Sequence, residues 1–268
     1  MRLSQIWVYP VKSLAGFSAD SWSLSGRGLV DDRRWMLVDG SGHFLSQRAL
    51  PSMSQLQAFL PSDGLGIRDR SGAEWILDGV QARTGRECIV QIWDDQVAAV
   101  QIEAPGLNDW LRTRLGHAVE LVYMPDPSRR PVDPVYAKAG ELVSFADGFP
   151  YLLANETSIA DLSTRCGESV DMLRFRPNLV ISGGSAWEED QWSAVRIGAQ
   201  EFLTPKPCAR CGMVNVDPQS GAQGKELLQA LSTFRKFGHK VLFGMNACWR
   251  DTGRGRVGVG DEVQVFYK

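Results

Sequence analysis

The chain has 268 residues, of which 44% are hydrophobic and 22% charged, and 29 basic residues stand against 31 acidic ones. This balance is typical of a globular protein and lacks the basic excess of a nucleic-acid-binding surface. No apolar run approaches the ~20 residues that a membrane helix needs, and the first residues lack a signal peptide's apolar core and cleavage site. Five scattered cysteines do not suggest a disulfide scaffold, so we expect a cytoplasmic protein in a reducing environment.

The first half of the chain is predicted to form mostly strands. Segments rich in β-branched and aromatic residues, bounded by turn sequences, predict strands over residues 6–9, 34–38, 43–46, 89–93 and 97–102. The turn residues Asp39 to Gly42 predict a hairpin between the second and third of these, and Asp94 and Asp95 predict one between the last two. A further hairpin is predicted around residues 70–72. Residues 106–115 place apolar side chains on one face and predict the first helix.

The second half combines further strands with two helices. Residues 124–140 contain four prolines and no regular hydrophobic period, which predicts a linker or long loop. Strands are predicted over residues 151–154, 179–182 and 195–198, with a closing strand near residue 265. Asn155 is suited to cap one helix, and residues 225–236 predict another. Many short strands with few helices favour a mixed, β-rich (α+β) architecture that contains barrels.

The segment from Cys208 to Cys211 is the most informative local motif, and it has four interpretations. A structural zinc site normally needs a second pair of ligands, but the other cysteines and the three histidines are scattered. A thioredoxin-like redox pair opens a helix, whereas residues 213–218 look like a strand running into a turn. In the third interpretation, one thiolate serves as ligand to a soft metal and Arg210 holds an anion. Two buried structural cysteines are the remaining interpretation.

Basic and polar residues at predicted strand ends are candidates for binding a phosphate. Lys12 and Ser13 follow the first strand and offer an ammonium and a hydroxyl group. Arg33 and Arg34 open the next strand, and because successive side chains alternate, only one of them is expected to face a given pocket. Arg176 precedes another strand, and arginine suits bidentate phosphate binding. Taken singly, each of these residues is more often a solvated surface charge.

Taken together, four motifs in this order resemble the MOSC-domain family, named after the C-terminal domain of molybdenum cofactor sulfurase. They occupy residues 9–13, 28–35, 175–181 and 208–218. The resemblance covers nearly the whole chain and is closest to the branch with an N-terminal MOSC β-barrel domain, which includes the mitochondrial amidoxime-reducing component and bacterial YcbX-like proteins. It implies a smaller N-terminal β-barrel-like domain over residues 1–122 and a MOSC β-barrel domain over residues 123–268.

The resemblance also implies a site for the molybdenum cofactor, Mo-molybdopterin. Cys211 matches the cysteine that binds molybdenum in the family, and Asp147 matches an acidic catalytic residue near the metal. The other positions that match cofactor-binding residues are Lys12, Ser13, Arg33, Arg176, Asn178, Ala209 and Arg210. Gly148 and Phe149 follow Asp147 where the family has small polar residues, so the resemblance does not define the substrate mouth. The family is also associated with pyridoxal phosphate binding.

The activity that the resemblance implies is the reduction of small N-hydroxylated compounds, such as amidoximes and hydroxylamines, by removal of oxygen at molybdenum. The alternative is a cofactor carrier or sulfur-handling protein without its own turnover. Some bacterial relatives carry a ferredoxin domain that this sequence lacks before Lys268. A separate donor is therefore expected, ferredoxin-, flavodoxin- or b-type-cytochrome-like, with a reductase. The acidic run at residues 188–190 is predicted to be an exposed loop, either solvated or a docking point for a positively charged donor.

Overall fold

Strands dominate the structure, and short helices lie between them. The computed structural model describes residues 1–136, 140–251 and 253–268, so residues 137–139 of the predicted linker lie outside the described residues. The α-helices in the described ranges are α1 (Leu107–Leu115), α2 (Glu156–Cys166) and α3 (Glu226–Phe234). The strands, in chain order, are β1 (Arg2–Val8), β2 (Phe17–Ala19), β3 (Ser21–Ser25), β4 (Gly28–Leu29), β5 (Trp35–Val38), β6 (Leu56–Phe59), β7 (Leu65–Asp69), β8 (Glu74–Leu77), β9 (Gly85–Ile92), β10 (Asp95–Ile102), β11 (Glu120–Tyr123), β12 (Tyr151–Asn155), β13 (Leu179–Ser182), β14 (Trp192–Ile197), β15 (Gln200–Arg210), β16 (Lys236–Phe237), β17 (Lys240–Trp249), β18 (Gly255–Gly258) and β19 (Val263–Tyr267).

The largest sheet draws its nine strands from both ends of the chain. Its order is β19-β14-β15-β17-β12-β13-β1-β2, with β16 paired to β17. β12 and β13 run parallel and are connected through α2, which is the usual way to join parallel neighbours. β1 pairs with β13, and β3 pairs with β18. The domain boundary after residue 122 stays a prediction, and these two pairings cross it.

The rest of the N-terminal half forms two smaller sheets around its own apolar core. Their orders are β5-β11-β10-β9 and β6-β7-β8, and the core between them includes the fully buried Trp35, Met53 and Leu121. Residues 43–46, predicted as a full strand, make only single bridges, from His43 to Gln91 and from Phe44 to Val38. These bridges connect the two outer strands of the four-stranded sheet, so the segment closes that sheet toward a barrel.

Most other predicted elements are confirmed. Hairpins join β7 to β8 at the predicted turn and β9 to β10 at Trp93 and Asp94, one residue before the predicted turn. α1 and α3 occupy the predicted helical ranges to within two residues. Asn155 caps α2 as expected, with its side-chain oxygen accepting from the amide of Thr157 at 3.1 Å. The predicted linker is packed only in part: Arg130 is 3% exposed and donates to the carbonyl of Ser144 at 2.9 Å, whereas residues 133–136 are exposed.

Two local predictions are wrong, and burial explains both. Residues 213–218 do not form a strand, because the chain turns into a 3-10 helix over Gly212–Asn215. Val214 is thereby buried in the apolar cluster that contains Leu231. The acidic run is likewise a 3-10 helix, over Glu188–Gln191, and Glu189 is fully buried. The intrinsic preferences of these short segments yield to packing against α2 and α3.

Candidate functional site

A cleft lies where strand ends from the two halves of the chain meet. Its volume is about 740 Å³ when the open mouth is included. The predicted site residues that line it are Lys12, Ser13, Arg33, Asp147, Arg176, Asn178, Arg210 and Cys211. Ala209 is the exception among the predicted positions, because it pairs with Leu242 in β17 and does not line the cleft. Residues far apart in sequence are thus brought to one place by the ends of β1, β13 and β15.

The floor of the cleft, defined as Lys12, Ser13, Arg33, Arg176 and Asn178, is buried, with each residue at most 8% exposed. Ser13, Arg33 and Arg176 have φ angles of +66°, +51° and +54°. Side chains other than glycine rarely adopt this left-handed conformation, and it tends to persist where a functional site requires it. These turns point several polar groups of the floor into one small volume.

Two arginines of the floor lie against the same aromatic ring. The guanidinium carbons of Arg33 and Arg176 lie 4.4 Å and 4.2 Å from the centroid of the Tyr9 ring. Arg33 pairs with the buried Asp32 at 2.5 Å and donates to the carbonyl of Arg176 at 3.1 Å. Arg176 donates through Nη1 to the carbonyl of Leu14 at 2.6 Å, while its buried Nη2 has no partner. A buried guanidinium nitrogen without an acceptor is costly, so the floor is suited to an anion that supplies one.

The two adjacent arginines of this motif do separate, as predicted. Arg33 is part of the floor, whereas Arg34 does not line the cleft and donates to the carbonyl of Met124 and to Asp126. The cause differs from the predicted strand alternation, because Arg33 lies in a left-handed turn before β5 begins at Trp35. Burial, followed by the charge of Arg33, lowers the pKa of Arg176 to about 10. Arg176 therefore remains charged at neutral pH.

Lys12 and Asp147 form an ion pair that connects the floor to the opening. The ammonium of Lys12 lies 2.5 Å from Oδ1 of Asp147 and donates to the carbonyl of Phe145 at 2.9 Å. Burial lowers the pKa of Lys12 below its ordinary value, and Asp147 only partly offsets this. Enclosure in the cleft acts to raise the pKa of Asp147, but Lys12, Trp93 and Arg210 outweigh it and hold it well below its ordinary range. The Asp147 side chain is 61% exposed, so solvent screens part of this field.

Asn178 uses its side chain to join strands. Its Oδ1 accepts from the amide of Leu152 and its Nδ2 donates to the carbonyl of Trp7, both at 3.2 Å. The amide of Asn178 also donates to the carbonyl of Leu152 at 2.8 Å. These contacts hold β1 beside the start of β12, and a further side-chain hydrogen bond of Asn178 lowers the pKa of Asp32.

The two cysteines of the motif occupy different environments. Cys211 is exposed at the end of β15, immediately before the 3-10 helix, and both thiols are free. Arg210 donates to the sulfur of Cys208 at 3.1 Å and to the carbonyl of Phe175 at 2.7 Å, while its buried Nε has no partner. The Cys211 thiol is therefore the accessible donor. A helical turn follows the motif, where a strand was predicted. The predicted strand was the reason against a thioredoxin-like redox pair, and that reason does not hold.

No cluster of three or more His, Cys, Asp or Glu side chains suited to a metal occurs within the described ranges. A structural zinc ion normally takes four protein ligands. The two cysteines thus find no second pair nearby, and this disfavours the zinc interpretation.

The charge of the cleft fits a dianion. Apart from Arg48, whose guanidinium lies over the Trp93 ring, Lys12, Arg33, Arg176 and Arg210 supply four positive charges against the carboxylates of Asp32 and Asp147. Burial raises the pKa of Asp32, although Arg33 opposes this. Protonation of Asp32 would only increase the positive surplus, so counting both carboxylates as ionised gives its smallest value. The surplus of at least two charges matches a phosphate monoester near pH 7.

We define the mouth of the cleft as Phe44, Arg48, Trp93 and Asp147. The sequence motifs do not predict it as a site. Asp147 alone among these was predicted. Trp93 occupies the tip of the β9–β10 hairpin with φ +53°. A large aromatic residue beside Asp94 in a two-residue turn was the available signal, since glycine or asparagine is usual there.

Comparisons with known proteins agree with this architecture. The MOSC N-terminal beta barrel domain matches residues 1–118, and the MOSC domain matches residues 141–264. Rat mitochondrial amidoxime reducing component 2 is 30% identical, over 96% of this chain and 81% of that protein. Human mitochondrial amidoxime-reducing component 1 is 27% identical, over 98% and 82%.

A second group of relatives is larger than this chain. Molybdenum cofactor sulfurase of Arabidopsis thaliana is 32% identical over 97% of this chain but only 35% of its own length. The chain therefore spans about a third of the sulfurases that it matches. Two consecutive domain matches and a relative covered over most of its length establish that the chain belongs to the MOSC-domain family, in the branch that carries the MOSC N-terminal β-barrel domain.

Proposed function

We propose that the protein is a molybdenum-cofactor-dependent oxidoreductase that reduces small N-hydroxylated compounds, such as amidoximes and hydroxylamines, to amidines and amines. The main support is one arrangement: the exposed Cys211 lines the same cleft as the buried Arg176, whose Nη2 has no partner. A soft thiolate suits molybdenum, and the arginine suits an anionic cofactor tail.

The residues of the cleft fit the cofactor in charge and in chemistry. Cys211 would bind the metal, Lys12, Ser13, Arg33 and Arg176 would hold the phosphate, and Asn178 and Arg210 would contact the pterin. When bound, the cofactor supplies two-electron chemistry at molybdenum, while the protein supplies binding and orientation. The overall reaction balances as R–NH–OH plus two protons and two electrons giving R–NH2 plus water. The orphaned nitrogens of Arg176 and Arg210 would gain acceptors on binding.

We propose that Asp147 orients the substrate. Its lowered pKa keeps it ionised at neutral pH, so it is better suited to accept hydrogen bonds from substrate N–H groups than to supply a proton. Lys12 fixes one of its oxygens at 2.5 Å. The exposure of Asp147 leaves room for a substrate to reach the carboxylate from solvent.

Electrons would come from a separate ferredoxin-, flavodoxin- or b-type-cytochrome-like donor with its reductase. None of the helices in the described ranges is long and apolar enough to span a membrane, and a cytoplasmic location remains a proposal. Pyridoxal phosphate also stays a prediction, and it gains little support because Lys12, the lysine of the cleft, is engaged by Asp147 and Phe145.

The decisive experiment expresses the chain in a host that makes the molybdenum cofactor. Molybdenum per protein is measured by elemental analysis, and benzamidoxime reduction is followed with reduced methyl viologen as electron donor. We expect close to one molybdenum per chain and formation of benzamidine. Protein that carries the cofactor but produces no benzamidine would contradict the proposal. That result would favour the alternative of a cofactor carrier or sulfur-handling protein, to which the likeness with the sulfurases points.

A further inference from the structure

Trp93 occupies a position that its residue type makes unfavourable. β9 and β10 pair up to Ile92 and Asp95, so Trp93 and Asp94 form the two-residue turn between them. The φ angle of Trp93 is +53°, which is an outlier for a bulky side chain. Glycine or asparagine would adopt this conformation at lower cost. Its side chain is also 40% exposed, so burial of the ring in a core does not compensate for the strain.

The surroundings of Trp93 place its indole ring at the mouth. Its centroid lies 4.9 Å from that of Phe44 at an interplanar angle of 53°. The guanidinium of Arg48 lies 4.8 Å from the indole centroid, and the indole Nε1 donates to Oδ1 of Asp147 at 3.3 Å. All four side chains line the cleft. The ring is therefore fixed beside the carboxylate that faces the substrate.

Strained residues that are held by several contacts concentrate at functional sites. Here the contacts fix an aromatic surface next to a hydrogen-bond acceptor. A flat molecule whose N–H groups are conjugated with an aromatic ring can contact both at once, because aromatic rings associate at centroid separations of about 4.5–7 Å. A small aliphatic molecule can reach the carboxylate but gains no ring contact.

We propose that Trp93, supported by Phe44, is the specificity-determining residue of the cleft and selects N-hydroxylated substrates whose N–OH group is conjugated to an aromatic ring. This inference rests on the proposed function and adds a substrate class to it. Phe44 provides a second aromatic surface beside the indole, and the guanidinium of Arg48 lies over the indole ring. Trp93 does not touch the floor, so cofactor binding is expected to be independent of it.

The test compares an aromatic with an aliphatic substrate on molybdenum-loaded protein. Trp93→Ala is expected to lower kcat/KM for benzamidoxime about ten-fold, the size of a lost aromatic contact, and to leave acetamidoxime within about two-fold. Trp93→Phe keeps a ring and should retain most of the preference. Phe237→Ala is the matched control, because Phe237 is an aromatic residue that is 58% exposed outside the cleft. Molybdenum content should be equal in all four proteins.

A binding measurement separates failure of this inference from failure of the proposed function. Calorimetry compares benzamidine with acetamidine on the loaded wild type and on Trp93→Ala. We expect the wild type to bind benzamidine at least about ten-fold more tightly, and the variant to lose that difference. If the wild type reduces neither amidoxime but this pattern holds, the reductase proposal is wrong and the aromatic site stands. If Trp93→Ala keeps the preference for the aromatic compound, in turnover or in binding, the role of Trp93 is overturned. The same holds if Trp93→Phe loses that preference as fully as Trp93→Ala does.

Discussion

The floor and the mouth of the cleft differ in burial and in charge. The floor residues are at most 8% exposed and carry a surplus of positive charge, with two guanidinium groups held against the ring of Tyr9. The mouth contains the 40% exposed Trp93 and an Asp147 side chain that is 61% exposed. A buried cationic floor suits a group that stays bound through many turnovers. An open mouth lined by aromatic rings and one exposed carboxylate suits a small molecule that enters and leaves.

This contrast implies that substitutions in the two regions have separable effects. Changes in the floor should alter how much cofactor the protein retains. Changes in the mouth should alter turnover of substrate while cofactor content stays constant. Cys211 lies between the regions, at the end of β15, and its loss should affect both.

The largest effect is expected for Cys211→Ala. Altering a residue that hydrogen-bonds to a metal ligand weakens metal binding roughly 10- to 100-fold, and loss of the ligand itself should weaken it more. Molybdenum content after gel filtration, measured by elemental analysis, should fall below about a tenth of wild type, and benzamidoxime reduction should fall with it. Cys208→Ala is the matched control, since that sulfur accepts from Arg210, and it should keep most of its metal. Equal loss in both variants would contradict a single-cysteine ligand.

The next largest effect is expected for Arg176→Ala. Each charge-assisted hydrogen bond to the phosphate is worth about 1.5–3 kcal/mol, so cofactor affinity should fall about 10- to 150-fold. Dissociation is measured as the loss of molybdenum during dialysis. Arg174→Ala is a close control, because Arg174 pairs with Asp217 at 2.6 Å and lies outside the cleft. The floor assignment fails if the two variants lose metal at the same rate.

Sequence motifs predicted the floor better than the mouth, and the reason is physical. Lys12, Ser13, Arg33 and Arg176 are located by local turns at strand ends, which short motifs encode directly. The mouth depends on contacts between distant segments, such as Trp93 with Asp147, which no local pattern specifies. The resemblance supplied Asp147, while local sequence supports only a turn residue there.

The wrong predictions share a similar cause. Residues 213–218 have a strand-like composition, yet burial of Val214 beside α3 bends them into a helical turn. Glu189 lies in an acidic run that suggests solvent exposure, yet Trp187 packs against Phe234 and Phe243 and draws the turn inward. Tertiary packing overrides local preference most easily in segments this short.

A smaller and purely kinetic effect is expected for Asp147→Asn. The amide cannot hold a positively polarised N–H group as well as a carboxylate, so kcat/KM for benzamidoxime should fall about ten-fold, the value of one hydrogen bond to a charged group. Molybdenum content should remain at the wild-type level. Because the pKa of Asp147 lies well below its ordinary range, wild-type activity should show no protonation of this group between pH 5 and 8. Loss of metal in Asp147→Asn would place Asp147 with the floor instead.

The smallest effect on the cleft is expected from Glu189→Gln, which tests whether the floor and mouth act locally. Glu189 does not line the cleft, so metal content and kcat/KM should stay at wild-type values. Its carboxyl accepts from Ser158 at 2.8 Å, and burial raises its pKa from 4.5 to about 7, with Asp190 and Arg235 as charged neighbours. The folded protein thus holds a proton that the unfolded chain releases above pH 4.5, so this group's contribution to stability is largest at low pH and falls as pH rises toward 7.

The effect of Glu189 ionisation on stability can be measured as a difference between two pH values. Between pH 5.5 and 8, ionisation of Glu189 should lower the free energy of unfolding of the wild type by about 2 kcal/mol. Urea unfolding at the two pH values should show a correspondingly smaller decrease for Glu189→Gln, because the amide does not titrate. An unchanged pH dependence would mean that the carboxyl of Glu189 is already ionised in the folded state. Altered molybdenum content in this variant would show that the cleft responds to distant changes, and metal loss from floor substitutions would then no longer identify direct contacts.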